Sequence, residues 1–141
     1  MKTCLFAGFR RRLARAQLAL TGPYKLLLTR GFAADAGFHD VLADVSKEVQ
    51  AKGYIAGGVS VPCEWATEGA DEVLHGIDAT WPDSSIEADG AVLYVDQGDN
   101  PLVCYWHFAE AMNEKDAPGG VVKSRNAPFR FYLPDGAMRV S

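Results

Sequence analysis

The chain of 141 residues carries 14 Lys and Arg against 18 Asp and Glu, a formal net charge of −4, and 48% of its residues are hydrophobic. These proportions exclude a wholly disordered or collagen-like chain, and the length suits one domain that buries roughly 68–70% of the surface its unfolded form exposes. No run approaches the ~18 uninterrupted apolar residues of a membrane-crossing helix, so a soluble protein without membrane association is expected.

The charge is unevenly placed. Residues 1–22 hold Lys2, Arg10, Arg11, Arg12 and Arg15 and no acid, giving +5, while residues 23–141 hold nine basic and eighteen acidic side chains, giving −9. Phe6, Phe9, Leu13, Ala16 and Leu20 recur at spacings of three and four, which predicts an amphipathic basic helix with the arginines on its other side. Arg10–Arg12 interrupt the place where a signal peptide would need an apolar stretch. Residues 1–22 are thus read as a basic arm on a single β-rich domain, 23–141. The arm either docks on its own body or frays, or it grips a neighbouring acidic subunit or nucleic acid, and it is expected to order only against an acidic surface, on the same or an adjacent molecule.

Beyond Gly22-Pro23, Tyr24–Thr29 reads as the first strand of the body. From Phe38 the apolar positions Val41, Leu42, Val45 and Val49 follow helical spacing, and Gly53 suits the residue after a last turn, which predicts a helix of about three to four turns. Gly53–Gly58 is a glycine-rich turn. Val59, Val61, Cys63 and Trp65 then alternate with polar residues, a strand that Pro62 places at an edge or a bulge. After an acidic turn at Thr67–Glu72, Val73, His75, Ile77, Ala79 and Trp81 alternate again. Ala88–Val95 and Leu102–Phe108 form the central hairpin around Gln97–Pro101.

Strict alternation puts Val103, Tyr105 and His107 on one side of the second hairpin strand, and Leu102, Cys104, Trp106 and Phe108 on the other. Both sides are mostly apolar, so one is expected to face the interior and the other a partner, most simply a second copy in a two-fold dimer. Glu110–Gly120 reads as an exposed loop. Short strands follow at 120–124, 129–133 and 137–141, the last after a Pro134-Asp135-Gly136 turn. Seven or eight strands and one helix make the expected fold mainly β, a jelly-roll or β-sandwich with one helix and a basic N-terminal arm.

Reactive constellations are absent from the pattern. His39, His75 and His107 stand on three elements without metal-ligand spacing. Cys104 and His107 point to opposite sides of one strand and so make no nucleophile–base pair. Asp96, Asp99 and Asn100 echo a calcium loop without its spacing or its bidentate glutamate. Cys4, Cys63 and Cys104 lack CxxC spacing and read as inert thiols. Trp65, Trp81, Tyr94, Tyr105 and Trp106 suit either a core or a sugar-stacking platform. No cofactor and no enzymatic activity are expected, and the candidate interface residues are Arg10, Arg11, Arg12, Arg15, Tyr105 and Trp106.

In their order, Tyr24–Thr29, Glu48-Val49, the Gly53-Tyr54-Ile55-Ala56-Gly57-Gly58 turn, Ala79-Thr80-Trp81, Ala91–Tyr94, a strand ending in Phe108 and the closing Phe131–Gly136 segment resemble a family of small virion structural proteins of tailed bacteriophages. The resemblance covers residues 24–141, with the Gly-Tyr-x-Ala-Gly-Gly turn as its most specific part. It implies a capsid decoration, or cement, protein on the outside of the phage head, partnered by the major capsid protein and by itself rather than by nucleic acid. A tail or fibre adaptor module, or a carbohydrate-binding β-sandwich, is the alternative. The basic arm, the Glu and Asp in place of Thr/Ser-rich segments, and the long 110–120 loop depart from the family pattern.

Overall fold

The computed structural model describes residues 2–14, 23–35, 37–108, 121–133 and 138–140. The strands are β1 (Lys2–Leu5), β2 (Tyr24–Thr29), β3 (Val59–Val61), β4 (Glu64–Glu68), β5 (Asp71–His75), β6 (Ile77–Ser84), β7 (Glu87–Ala88), β8 (Gly90–Val95), β9 (Leu102–His107), β10 (Val122–Lys123), β11 (Ala127–Leu133) and β12 (Met138–Val140). Among the described residues one helix, α1 (Ala7–Ala14), follows β1, and a 3₁₀ turn spans Leu42–Asp44. The expected mainly-β fold is therefore present. Among the described residues all strand pairs are antiparallel, in a five-stranded sheet ordered β1-β9-β8-β2-β3, a three-stranded sheet β12-β5-β4, and the ribbons β11-β6 and β10-β7.

The largest sheet is buried on both faces. Leu26, Leu28, Ala91, Leu93, Val95, Cys104 and Trp106 project from one face into the main core, where they meet Leu74, Ile77, Ala79, Trp81, Phe129 and Phe131 from the other sheets. Leu27, Val92, Tyr94, Leu102 and Tyr105 project from the opposite face and are covered by Phe6, Phe32, Leu42 and Val45. Burial on both sides is why β8 and β9 read as nearly continuous apolar runs.

Strict alternation fails in β9. Leu93 pairs with Cys104 but its neighbour Tyr94 pairs with Leu102, so Val103 is an extra residue, a β-bulge. Val103 joins Cys104 and Trp106 on the main-core side, and Leu102 moves to the side of Tyr105. The face expected to be left for a partner is filled by the chain's own 30–46 segment. Tyr105 and Trp106, proposed from sequence as interface residues, are 6% and 0% exposed. They are core residues of a single chain, because a returning loop supplies the cover that the strand pattern assigned to a second copy.

The helix expected from Phe38 onward is also absent, apart from the single 3₁₀ turn. Its apolar positions do not share one destination: Leu42 and Val45 pack on the second cluster, whereas Val49 enters the main core. Backbone partners outside the segment hold it extended. Leu42 N–H donates to the Asn100 carbonyl, Arg30 N–H to Lys47, and Val49 N–H to Leu28. The Asp44 carboxylate takes the N–H groups of Val41 and Asp40, which hold its pKa below the ordinary value and cap the start of the single 3₁₀ turn. Lys47, with φ +64°, ends any continuous helical run.

The basic segment is organised by apolar groups rather than by charge. β1 pairs with β9, Phe6 N–H bonds the Val103 carbonyl, and Phe6 and Phe9 are 0% and 1% exposed. Phe6 plugs the second cluster and Phe9 the main core, where it stacks on Trp65. Residues 2–9 thus dock on their own body, one of the readings of the sequence, and for these residues the expectation of ordering only against an acidic surface, on the same or an adjacent molecule, is corrected: Phe6 and Phe9 seat them in apolar clusters. Residues 110–120, the 134–136 turn and Arg15 lie outside the described residues.

Pro62 falls between β3 and β4 and ends the first ladder, and Gly76 at φ +88° divides the alternating 73–81 run into β5 and β6. Cys63 and Cys104 are buried free thiols, and burial pushes Cys63 up to about 12. Both should resist alkylation in the native state and react only as fast as the chain unfolds, as followed by mass spectrometry after short pulses. Rapid labelling of either without unfolding would contradict their placement.

Candidate interaction surface

Two stretches of the 47–61 segment run along one edge of β2. Thr29 bridges to Glu48 and Val49 N–H reaches the Leu28 carbonyl at one end, while β3 pairs with Tyr24–Leu26 at the other. Residues 50–58 leave this edge and return to it, forming a compact loop with closely spaced ends. Tyr54 fills the gap that remains: its hydroxyl accepts the Leu28 N–H at 3.1 Å and donates to Glu48 Oε2 at 2.6 Å. The same carboxylate oxygen accepts the Gly57 N–H at 2.7 Å, and the Gly57 carbonyl accepts the Tyr94 hydroxyl at 2.6 Å. The Tyr54 ring stacks on Trp81, centroids 5.8 Å apart.

Glycine is required where this loop touches the sheets. A Cβ on Gly58, at φ +81°, would lie 1.9 Å from the Leu26 carbonyl oxygen, and one on Gly53, at the same φ, 2.2 Å from that of Asp83. The loop is therefore a rigid piece closed by a carboxylate, two phenols and two glycine contacts. Its tip presents Ile55, 71% exposed.

Two other large apolar or aromatic groups are similarly presented. Phe38 is 77% exposed on a turn in which Asp35 Oδ1 accepts the N–H groups of Gly37 and Phe38. Tyr132, 50% exposed, carries the Arg130 guanidinium 4.1 Å over its ring, and Arg130 is itself held by two bonds of 2.9 and 3.0 Å to Asp78. On one outward face of the β6–β11 ribbon, Asp78, Thr80 and Pro82 lie beside Pro128, Arg130 and Tyr132. Arg10 and Arg11 are exposed on α1, and Arg12 belongs to the same helix.

Among the described residues no group of three or more His, Cys, Asp or Glu side chains could hold a metal ion. His75 sits 3.1 Å from Glu68, away from His39 beside Phe32 and His107 at the end of β9. An open groove of about 510 Å³ is lined by Arg30, Lys47, Glu48, Gln50, Ser85 and Glu87. Its charges are mixed: Asp89 holds Arg30 at 3.4 Å and accepts the Gly31 N–H, while Glu48 belongs to the loop latch. No described helix is long and apolar enough to cross a membrane.

The aromatic set considered for sugar stacking is mainly interior. Trp81, Tyr94, Tyr105 and Trp106 are buried, and Trp65 is half-buried with its indole N–H on the Tyr24 hydroxyl. Sequence reasoning missed Phe38, Ile55 and Tyr132. The available signal for the first two was local: Phe38 follows Gly37, and Ile55 lies between glycines that the chain can only use for tight turns.

Burial raises Tyr24 and Tyr94 to about 12, and it raises Tyr54 as well, with the Glu48 hydrogen bond adding to the effect. These phenols and the Cys63 thiol lose protons more easily in the unfolded chain, so between about pH 9 and 12 the native state binds more protons and stability falls as pH rises. The urea midpoint should move down from pH 8 to pH 10.5, and an unchanged midpoint would refute the placement of these groups.

No family model, no curated protein and no solved structure matches the chain.

Proposed function

We propose that the chain is a structural virion protein, a capsid decoration protein that binds the outside of a phage head and reinforces contacts between capsomers. In this reading the body is a jelly-roll whose partner is the major capsid protein, and the protein has no catalytic role. One observation carries most weight: the glycine-rich turn central to the family resemblance is a braced loop that holds an exposed Ile55 in place. A decoration protein binds a finished shell as a preformed body, so rigid loops that project apolar side chains supply binding surface at little ordering cost. Phe38 and Tyr132 are presented on similarly constrained backbone.

A tail or fibre adaptor shares this logic but occurs in few copies. Quantitative protein composition of purified particles separates the readings. Many copies per particle, released together with loss of head stability, is the expected result. A few copies confined to the tail fraction would favour the adaptor, and absence from particles would end the proposal.

A further inference from the structure

We infer that His39 makes the presentation of Phe38 sensitive to pH: the neutral imidazole closes the turn that carries Phe38, and protonation opens it. This inference concerns the chain alone and stands whether or not the protein belongs to a virion. The Asp35 N–H donates to His39 Nδ1 at 3.0 Å. A backbone N–H can only donate, so Nδ1 must offer a lone pair and the ring is neutral, with its proton on Nε2. The ring lies 5.1 Å from Phe32 and 5.5 Å from Phe38, centroid to centroid. Asp35 closes the same turn from its other side. Its carbonyl accepts the His39 N–H at 2.9 Å, and its Oδ1 accepts the Gly37 and Phe38 N–H groups at 3.0 and 3.1 Å.

A proton on Nδ1 converts this acceptor into a donor, and two N–H groups then face each other. The imidazolium is drawn to a carboxylate, and those of Asp35 and Asp44 are already engaged. Asp35 holds Gly37 and Phe38, while Asp44, close enough for a charged His39 to act on it, holds the N–H groups of Asp40 and Val41. Asp40 is the third acid of the segment, and its carbonyl takes the Leu102 N–H. Two packed elements bring further titratable groups. From β9 come Tyr105, whose hydroxyl is engaged at the Phe32 carbonyl, and His107, 6.3 Å from the Tyr105 ring. From the hairpin turn comes Asp99, beside the Asn100 carbonyl that takes the Leu42 N–H. Phe32 is 4% exposed and keeps its seat through Tyr105, so the opening is confined to the outer end of the segment, where Phe38 stands. Histidine is the side chain that ordinarily changes charge between pH 5 and 8, and the open turn binds a proton that the closed turn excludes. Acidification therefore favours opening.

NMR of the isotope-labelled full chain tests this. At pH 8 the His39 imidazole should carry its proton on Nε2. As the pH falls from 8 to 5, the contact between the His39 and Phe32 rings should weaken. Over the same range the protection of the Asp35 amide, corrected for intrinsic exchange, should fall by about tenfold per pH unit below the His39 midpoint read from its own ring signals. His39→Asn is the control, because the Asn Oδ1 can stand in the place of Nδ1 and accepts at every pH in this range. That variant should keep Asp35 protected and the Phe38 signals unchanged from pH 8 to 5. A proton on Nδ1 at pH 8, constant Asp35 protection through the wild-type titration, or an equal loss of protection in His39→Asn would overturn the inference. Where the variant does not fold, the two wild-type measurements decide alone.

Discussion

Trp106→Ala is expected to lower the unfolding free energy by ~3–5 kcal/mol, the usual cost of removing a large aromatic from a packed interior. Trp106 is fully buried, pairs across to Ala91 and lies 5.4 Å from the Phe131 ring, which in turn stacks on Phe108. The cavity would open where the five-stranded sheet meets the β6–β11 ribbon, and little at that position can collapse into it. The companion substitution is the sharper test. If Tyr105 were a subunit contact, Tyr105→Ala would leave a folded chain that associates less. As built, its ring meets Phe32 edge-on at 5.7 Å and its hydroxyl donates to the Phe32 carbonyl at 3.0 Å, so it anchors the loop that covers the second cluster. Tyr105→Ala should therefore also unfold at lower urea, and Tyr105→Phe should lose about 1–3 kcal/mol by leaving a buried carbonyl unpaired. A wild-type urea midpoint for Tyr105→Ala, with weakened association, would restore the interface reading.

The strands that sequence located well are those whose pattern one chain segment determines. Tyr24–Thr29 is bounded by Pro23 on one side and Arg30-Gly31 on the other, and the hairpin turn is spelled out by Gln97–Pro101, with Gly98 and Asn100 in the left-handed region. What failed was set by distant backbone. Val41, Leu42, Val45 and Val49 have helical spacing, yet β2 and the start of β9 offer that segment hydrogen bonds that no local pattern announces. The bulge at Val103 is likewise invisible, since one inserted residue reverses the facing of Leu102 without altering composition. The arginines of the first segment drew attention to charge, but Phe6 and Phe9 do the docking. The exposed tips at Phe38, Ile55 and Tyr132 were hidden for a related reason: an apolar residue in sequence reads as core until the fold shows which side of a turn it occupies.

The loop that carries Ile55 gives the second large effect. Gly58→Ala combines two penalties: a left-handed φ of +81°, and a methyl group 1.9 Å from the Leu26 carbonyl oxygen and 2.8 Å from the Leu27 Cα. The first penalty alone is ~1–2 kcal/mol for a residue with a side chain. Gly69 provides the control, because it has φ +63° but no atom within 4 Å of its Cβ position. Gly69→Ala should therefore show only the conformational cost. Gly58→Ala must in addition displace β2, a central strand of the largest sheet, or push the loop off its edge. Either movement pulls Tyr54 from Glu48 and Leu28 and separates its ring from Trp81. The expected outcome is a much larger fall in the urea midpoint for Gly58→Ala than for Gly69→Ala, with a change in native tryptophan emission in the first variant alone. Matched midpoints and unchanged emission would mean that the loop is not seated on β2, and Ile55 would lose the rigid support from which its role as a contact residue is argued.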